Sequence, residues 1–254
     1  MVCWVGNGEM RFLEVEGWGD KSRIIHGFGL RGPAGEKRTK QDWQGQRLRM
    51  GEEPYSLIYT RQVHGDRVVV FGGEPQKPEE LWLREGDALV TQVPGHALGV
   101  FTADCLPILF FDPVQRAVGI AHTGWRGTAR AICQKTLKKM AETFDTISEN
   151  ILAAMGPCIG PCCYEVDGPV KEVFIAAGLP WELLSSPRGG GKWFLDLPRA
   201  NAYLLKGAGV REENIQHLEF CTSCRRDSFY SYRAEGKTSG RQLNFIALKK
   251  GKAI

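Results

Sequence analysis

Residues 101–113 read FTADCLPILFFDP, and the middle of that stretch, residues 108–111, sets four large apolar side chains in succession. A strand with one wet face alternates apolar and polar residues; a short unbroken apolar run is that of a strand covered on both faces. At the mouth of this strand stand a carboxylate and a thiol, Asp104 and Cys105. Burying an unpaired charge is costly, so the fold must give Asp104 a partner. Why a core strand opens on such a pair is the first question the chain poses.

Around this segment, strands and helices are mixed. The stretch RIIHGFGLRGPAGE is punctuated by Gly and Pro into short strands and turns. Residues 37–53 are polar and read as a short helix or a loose segment. YSLIYTRQVHGDRVVVF alternates like two strands meeting near His64, Gly65 and Asp66. Residues 75–84 read as a polar loop, and GDALVT opens another strand. ALGVFTADCLPILFF and RAVGIAHTG read as two strands around the turn DPVQ. GTARAICQKTLKKMAETF carries Ala131, Ile132, Leu137, Met140 and Phe144 at helical spacing. NILAAM is a strand entering a Gly/Pro-rich turn, while GPVKEVFIAAG and LPRANAYLLKGAG are helices ending at glycine. SSPRGGGKW reads as a loop and NFIAL as a late strand. Without a regular βαβ alternation, the expected class is α+β, and 254 residues suit one large domain or two small ones.

Charge and targeting signals exclude some functions. The 33 Lys and Arg against 29 Asp and Glu are scattered, apart from Lys249, Lys250 and Lys252, so nucleic acid is not an expected partner. No apolar run approaches membrane-spanning length, and MVCWVGNGEMRF lacks a basic start followed by a long apolar run. The cytoplasm is therefore the expected compartment. There, the eight cysteines serve as thiols, metal ligands or catalytic groups rather than disulfides.

Three polar groups fall at strand ends: His64 in RQVHGD, Cys105 in TADC and His122 in IAHTGWRG. Two imidazoles and a thiolate make a zinc set with an open fourth position; satisfied core residues are the alternative. After His122, two glycines lead into a helix whose first N–H groups would face an anion. Arg126 there, or Arg31 in FGLRG, could clamp a phosphate; either could equally brace the fold. CTSC (Cys221, Cys224) with CIGPCC (Cys158, Cys162, Cys163) offers a closed structural zinc site, but CxxxCC is not the second CxxC of a zinc ribbon, which favours small buried thiols.

In order along the chain, RQVHGDRV, GDALVT, TADCLPILFFDP, AHTGWRGTARAI, GPCIGPCCYEV, FLDLPRANAYLLKGAGV and CTSCRRDSFYSYRAEGKTSGR resemble the laccase-domain family. That family was once called multicopper polyphenol oxidases and is now viewed as purine nucleoside phosphorylases. The resemblance implies one domain over residues 1–254, a layered α/β sandwich with a mixed β-sheet core. It implies a Zn2+ ion on His64, Cys105 and His122; beside these, Asp104 is the candidate for a further catalytic group, and Arg31, Gln62, Thr123 and Arg126 are the candidate substrate contacts. The implied substrates are phosphate and purine nucleosides (adenosine, inosine, guanosine, methylthioadenosine), with adenosine deamination as a side activity. One departure is FGLRGPAGEKRTKQDWQGQRLRM, which lacks the family's Asn-bearing stretch ahead of the first zinc histidine.

The older copper label fails on ligand count. Four coppers require roughly ten histidines, because imidazole is copper's main ligand; this chain has five, and His26, His96 and His217 share no spacing. Deamination would use zinc to activate water toward purine C6, with a non-ligand carboxylate moving protons; Asp104 is nearest in sequence, although neighbours on a regular strand point to opposite faces. Phosphorolysis instead needs an anion clamp and a partner for the departing base. The alternative reading is a hydrolase with Cys105 as nucleophile and His122 as base, an amidase editing cell-wall nucleotide precursors.

Overall fold

Residues 101–113 form the junction between two sheets. The computed structural model describes residues 2–5, 10–18, 23–32, 38–39, 41–43, 47–50, 53–72 and 78–250. Within it, the strand His96–Thr102 ends before the bend of Ala103, Asp104 and Cys105, and the strand Leu106–Asp112 begins after it. ALGVFTADCLPILFF is thus two strands rather than the single one its apolar content suggests. The bend carries the chain from one sheet to the other.

Among the described residues, the larger sheet has seven strands, with Gln242–Leu248 paired between Ile24–Gly29 and His96–Thr102. The second has six, in the order Ile215–His217, Leu152–Met155, Leu106–Asp112, Ala117–Thr123, Ala88–Thr91 and Val68–Phe71. Both are mixed, since Glu53–Ile58 runs parallel to His96–Thr102 and Val68–Phe71 parallel to Ala88–Thr91. YSLIYTRQVHGDRVVVF therefore makes no hairpin: its two strands lie in different sheets, and residues 59–67 form a second crossover at the same end as the first.

Alternation along each strand builds the layers. Leu109 and Phe111, opposite Ile120 and Val118, face Phe28, Ile58, Leu98, Val100 and Ile246 of the larger sheet. Leu106, Ile108 and Phe110 face the other way, toward Cys133, Leu137, Met140 and Phe144 of the helix Ile132–Phe144. Every residue of Leu106–Asp112 is buried, and each large apolar side chain so covered contributes about 1.5–3 kcal/mol. A third cluster, with Trp43, Tyr55, Leu57, Phe101 and Phe245, covers the outer face of the seven-stranded sheet. The result is the expected mixed-sheet α/β sandwich.

Several local expectations change. GTARAICQKTLKKMAETF is two helices, Trp125–Ala129 and Ile132–Phe144, because Ala131 takes φ 56 between them. The short helix is pinned elsewhere: buried Thr128 Oγ1 accepts from Asn201 of the helix Leu197–Gly207 at 2.9 Å. SSPRGGGKW is a hairpin of Ser185–Gly189 with Lys192–Leu195 rather than a loop, and Gly189, Gly190 and Gly191 all take positive φ at its turn. Residues 37–53 hold the 3-10 turn Gln41–Trp43 and the strand Arg47–Met50, anchored by buried Trp43. Pro78–Trp82 is a short helix rather than a loop, and its Leu81 is fully buried. Parts of these segments (37, 40, 44–46, 51–52, 75–77), together with residues 33–36 of the first punctuated stretch and Lys252, lie outside the described residues. The helices Gly168–Ala176 and Leu197–Gly207 end at glycines with positive φ, Gly178 and Gly209, as their sequences indicate.

Candidate metal centre

The two crossovers and the end of the strand Ala117–Thr123 bring His64, Cys105 and His122 together. One potential ligand atom from each lies within 4.8 Å of the others, and the two imidazoles meet edge to face with centroids 4.8 Å apart. His64 is exposed, Cys105 half-buried and His122 buried.

Each position has a local cause. His64 takes φ 58, a left-handed conformation uncommon for a residue with a side chain. The carboxylate of Asp87 holds it there: Oδ1 accepts from His64 N at 3.0 Å, while Oδ2 accepts from Val63 N at 3.1 Å and Gly65 N at 2.8 Å. The same Oδ1 accepts from His122 Nδ1 at 2.8 Å, and the Asp87 carbonyl accepts from His122 N at 2.7 Å. With Nδ1 so engaged, His122 presents Nε2 to the other two ligands, the arrangement by which a carboxylate orients a metal-binding imidazole. Gly124 supplies room, since a methyl there would stand 2.8 Å from Cys105 Sγ and 3.5 Å from His64 Cδ2.

Asp87 is wholly buried. Burial pushes its carboxyl up, but the hydrogen bond and charge of His122 and the N–H groups of Gly65 and Val63 bring it below its ordinary value. Its charge therefore stabilises the fold above the ordinary carboxylate range and is lost only as pH falls through that lowered value. Sequence reasoning missed Asp87. Its signal was a carboxylate opening the fully buried strand of GDALVT, the same oddity that Asp104 shows.

Cys105 and His122 form an acid–base pair when no metal is bound. Burial pushes the Cys105 thiol up, but His122 and His64 beside it bring it down to about 6. Burial pushes His122 down, but Cys105 and Asp87 raise it to about 9. The thiolate's contribution is lost as pH falls through about 6, and the imidazolium's as pH rises through about 9. In chelator-treated protein, alkylation of Cys105 by iodoacetamide should therefore persist down to about pH 6. One equivalent of added zinc should block it. An alkylation rate rising only near the ordinary thiol range would contradict the pairing.

The remaining candidates are placed differently. Asp104, with φ 88, is not on a strand, so the alternation that set it opposite Cys105 does not apply. Its Oδ1 accepts from Thr222 Oγ1 and its Oδ2 from Arg233 N, both at 2.6 Å. The Gln62 amide bonds Phe101 twice, Nε2 to O and Oε1 from N, both at 2.9 Å. Thr123 Oγ1 donates to Leu106 O at 2.7 Å. Arg31 pairs with Glu235 and lies 4.6 Å over the Tyr230 ring, whereas Arg126 is exposed, 4.3 Å over the ring of Trp125. Tyr164, which sequence reasoning also passed over, has its hydroxyl raised first by burial, then by Cys105 and Asp104, against the pull of Arg233 and Arg126. A cleft of about 520 Å3 lies elsewhere, along Cys158, Cys162, Arg199, His217 and Cys221.

A half-buried trio of two imidazoles and one low-lying thiol, with one imidazole oriented by a carboxylate, suits a divalent metal bound with one position open. Comparison with known proteins agrees in kind. Residues 35–249 match the family described as multi-copper polyphenol oxidoreductase laccase. A purine nucleoside phosphorylase of Clostridium acetobutylicum is 33% identical over 192 residues, 75% of this chain and 76% of that protein. Adenosine deaminase RL5, from an unknown prokaryotic organism, is 36% identical over 207 residues, 80% of this chain and 79% of its own. Among solved structures, the hypothetical protein YfiH of Bacillus licheniformis superposes with a TM-score of 0.80 at 26% identity, covering 95% of this chain and 97% of that one. YlmD from Geobacillus stearothermophilus gives 0.78 at 26% identity, covering 97% and 98%.

Proposed function

Because the chain belongs to the multi-copper polyphenol oxidoreductase laccase family, whose relatives here are named purine nucleoside phosphorylase and adenosine deaminase, we propose that it is a zinc-dependent purine nucleoside phosphorylase with adenosine deaminase side activity. The observation that carries this reading is the trio itself. His64, Cys105 and His122 converge within 4.8 Å, and two crossovers, a buried Asp87 and a space-making Gly124 are spent on holding them there. A four-copper oxidase would need more. His26 accepts from Val15 N at 3.0 Å, His96 Nδ1 donates to Pro94 O at 3.1 Å, and His217 lies on the strand Ile215–His217.

His64, Cys105 and His122 would hold the ion, which when bound supplies Lewis-acid polarisation of the purine or its leaving group. In phosphorolysis a phosphate oxygen forms a bond to C1′ of the ribose, the C1′–N9 bond breaks, and the purine leaves with the electron pair and takes a proton. Arg126, exposed over the ring of Trp125, is suited to hold the phosphate. Asp87 keeps His122 in one tautomer throughout. Asp104, engaged by Thr222 and Arg233, positions Cys105 from behind. The substrates are adenosine, inosine, guanosine and methylthioadenosine, and in deamination water replaces the C6 amino group of adenosine. Among the described residues no helix is long and apolar enough to cross a membrane; purine nucleosides and phosphate of the cytoplasm are the expected partners.

Incubation with adenosine and phosphate should give adenine and ribose 1-phosphate, with inosine as a minor product. Inosine alone, with phosphate present, would refute phosphorolysis. A second reading draws on Cys105, His122 and Asp87 as a nucleophile, base and orienting carboxylate. It leaves His64 without a task. Turnover of an amide substrate that survives both chelation and His64→Ala would favour it.

A further inference from the structure

Four more thiols converge outside this centre, and no step above uses them. Cys162 and Cys163 lie in a turn closed by Cys163 N to Gly160 O at 3.0 Å, and Cys221 and Cys224 in one closed by Arg225 N to Cys221 O at 3.0 Å. The two turns are docked by backbone bonds, Cys158 N to Phe220 O at 3.2 Å and Thr222 N to Cys158 O at 2.9 Å. All four sulfurs lie within 4.8 Å of one another. Cys162 and Cys163 stand 3.6 and 3.3 Å from Cys224, and Gly160 N donates to Cys221 Sγ at 3.3 Å.

The spacing that argued against a zinc ribbon now has an explanation. Cys158, the first residue of CxxxCC, is buried in the core beneath the helices, so the donor set is the adjacent pair Cys162 and Cys163 with the CxxC pair Cys221 and Cys224. Four sulfurs about 2.3 Å from one tetrahedral zinc lie about 3.8 Å apart, close to the separations seen. An iron–sulfur cluster would hold its cysteines farther apart than a single ion does. We propose that Cys162, Cys163, Cys221 and Cys224 form a second metal site, a closed tetrathiolate site for one zinc ion that clamps the two turns together.

The clamp has something to hold. Ile159 N, just ahead of the first turn, donates to Asp104 O at 2.9 Å, and Thr222, within the second, donates to the Asp104 carboxylate at 2.6 Å. Arg233 completes the grip, donating from its backbone N to Asp104 and from its guanidinium to Cys163 O at 3.4 Å. Asp104 in turn sets the bend from which Cys105 projects. The second ion thus steadies a ligand of the first centre without touching substrate. The site stands on its own donors, independent of the reaction proposed above.

Metal analysis of the full chain, purified under reducing conditions without chelator, tests it. Wild type should carry two zinc ions per chain, and His64→Ala and the double variant C162S/C224S about one each. Zinc content unchanged in C162S/C224S but lowered in His64→Ala would overturn the second site and leave the first. The opposite pattern would overturn the first and leave the second. A measurement on wild type guards against misfolded variants: exposed Cys162 and Cys224 should resist alkylation until a strong chelator is added, then react together with Cys163 and Cys221. Free reaction without chelator, a requirement for reductant, or stoichiometric iron with a visible chromophore would each overturn the proposal.

Discussion

Replacing Asp87 by Asn should weaken zinc binding at His64, Cys105 and His122 by about tenfold to a hundredfold, the usual cost of losing a carboxylate that orients a metal-binding imidazole. The Asp87 carboxylate accepts four bonds, from Val63 N, His64 N, Gly65 N and His122 Nδ1. Asparagine keeps the size but replaces one oxygen with a donor, which would face N–H groups. At least one buried donor then goes unpaired, at about 1–3 kcal/mol. Two readouts should move together: the zinc dissociation constant by chelator competition, and the urea midpoint of the metal-free protein. Unchanged zinc affinity would show that His122 keeps its tautomer and aim without Asp87.

Gly124→Ala should cripple the same centre by a different route. Gly124 has φ −70, so the backbone tolerates alanine and only space opposes it. The new methyl would stand 2.8 Å from Cys105 Sγ, and the sulfur can escape only by leaving its ligand position. Overpacking costs about 1–3 kcal/mol, and if that falls on the metal-bound geometry, affinity drops by about tenfold to a hundredfold. Because the metal-free protein can turn the thiol aside, its own stability should change far less. Equal losses in the metal-free and zinc-bound forms would place the strain in the fold instead.

Much of the centre was legible in the residues, in an uneven way. Imidazoles and a thiol at strand ends stand out because strand ends are where an apolar scaffold can present polar groups, and the motif resemblance joined them into one set. Asp87 was equally visible as a residue and invisible as a partner, since nothing local ties it to a histidine 35 residues on. The partners of Asp104 were hidden for a related reason: strand alternation says nothing about the aim of a residue that sits in a bend with φ 88. Gln62 and Thr123 flank ligands in sequence, yet their side chains bond the protein's own backbone, because a crossover must be tied down before it can hold a ligand.

Sequence alone determined what depends on local periodicity and residue type: a strand buried on both faces, helices stopped at glycine, too few histidines for four coppers, and a set of imidazole and thiol donors able to hold a metal. Only the tertiary structure decided what depends on distant segments meeting. It divided residues 101–113 between two sheets, gathered Cys162 and Cys163 against Cys221 and Cys224, and gave Asp104 its partners in Thr222 and Arg233. The reason is physical. Burial and backbone preference act on each residue where it stands, whereas coordination and charge pairing act through space, and their partners are chosen by sheet order and crossover position.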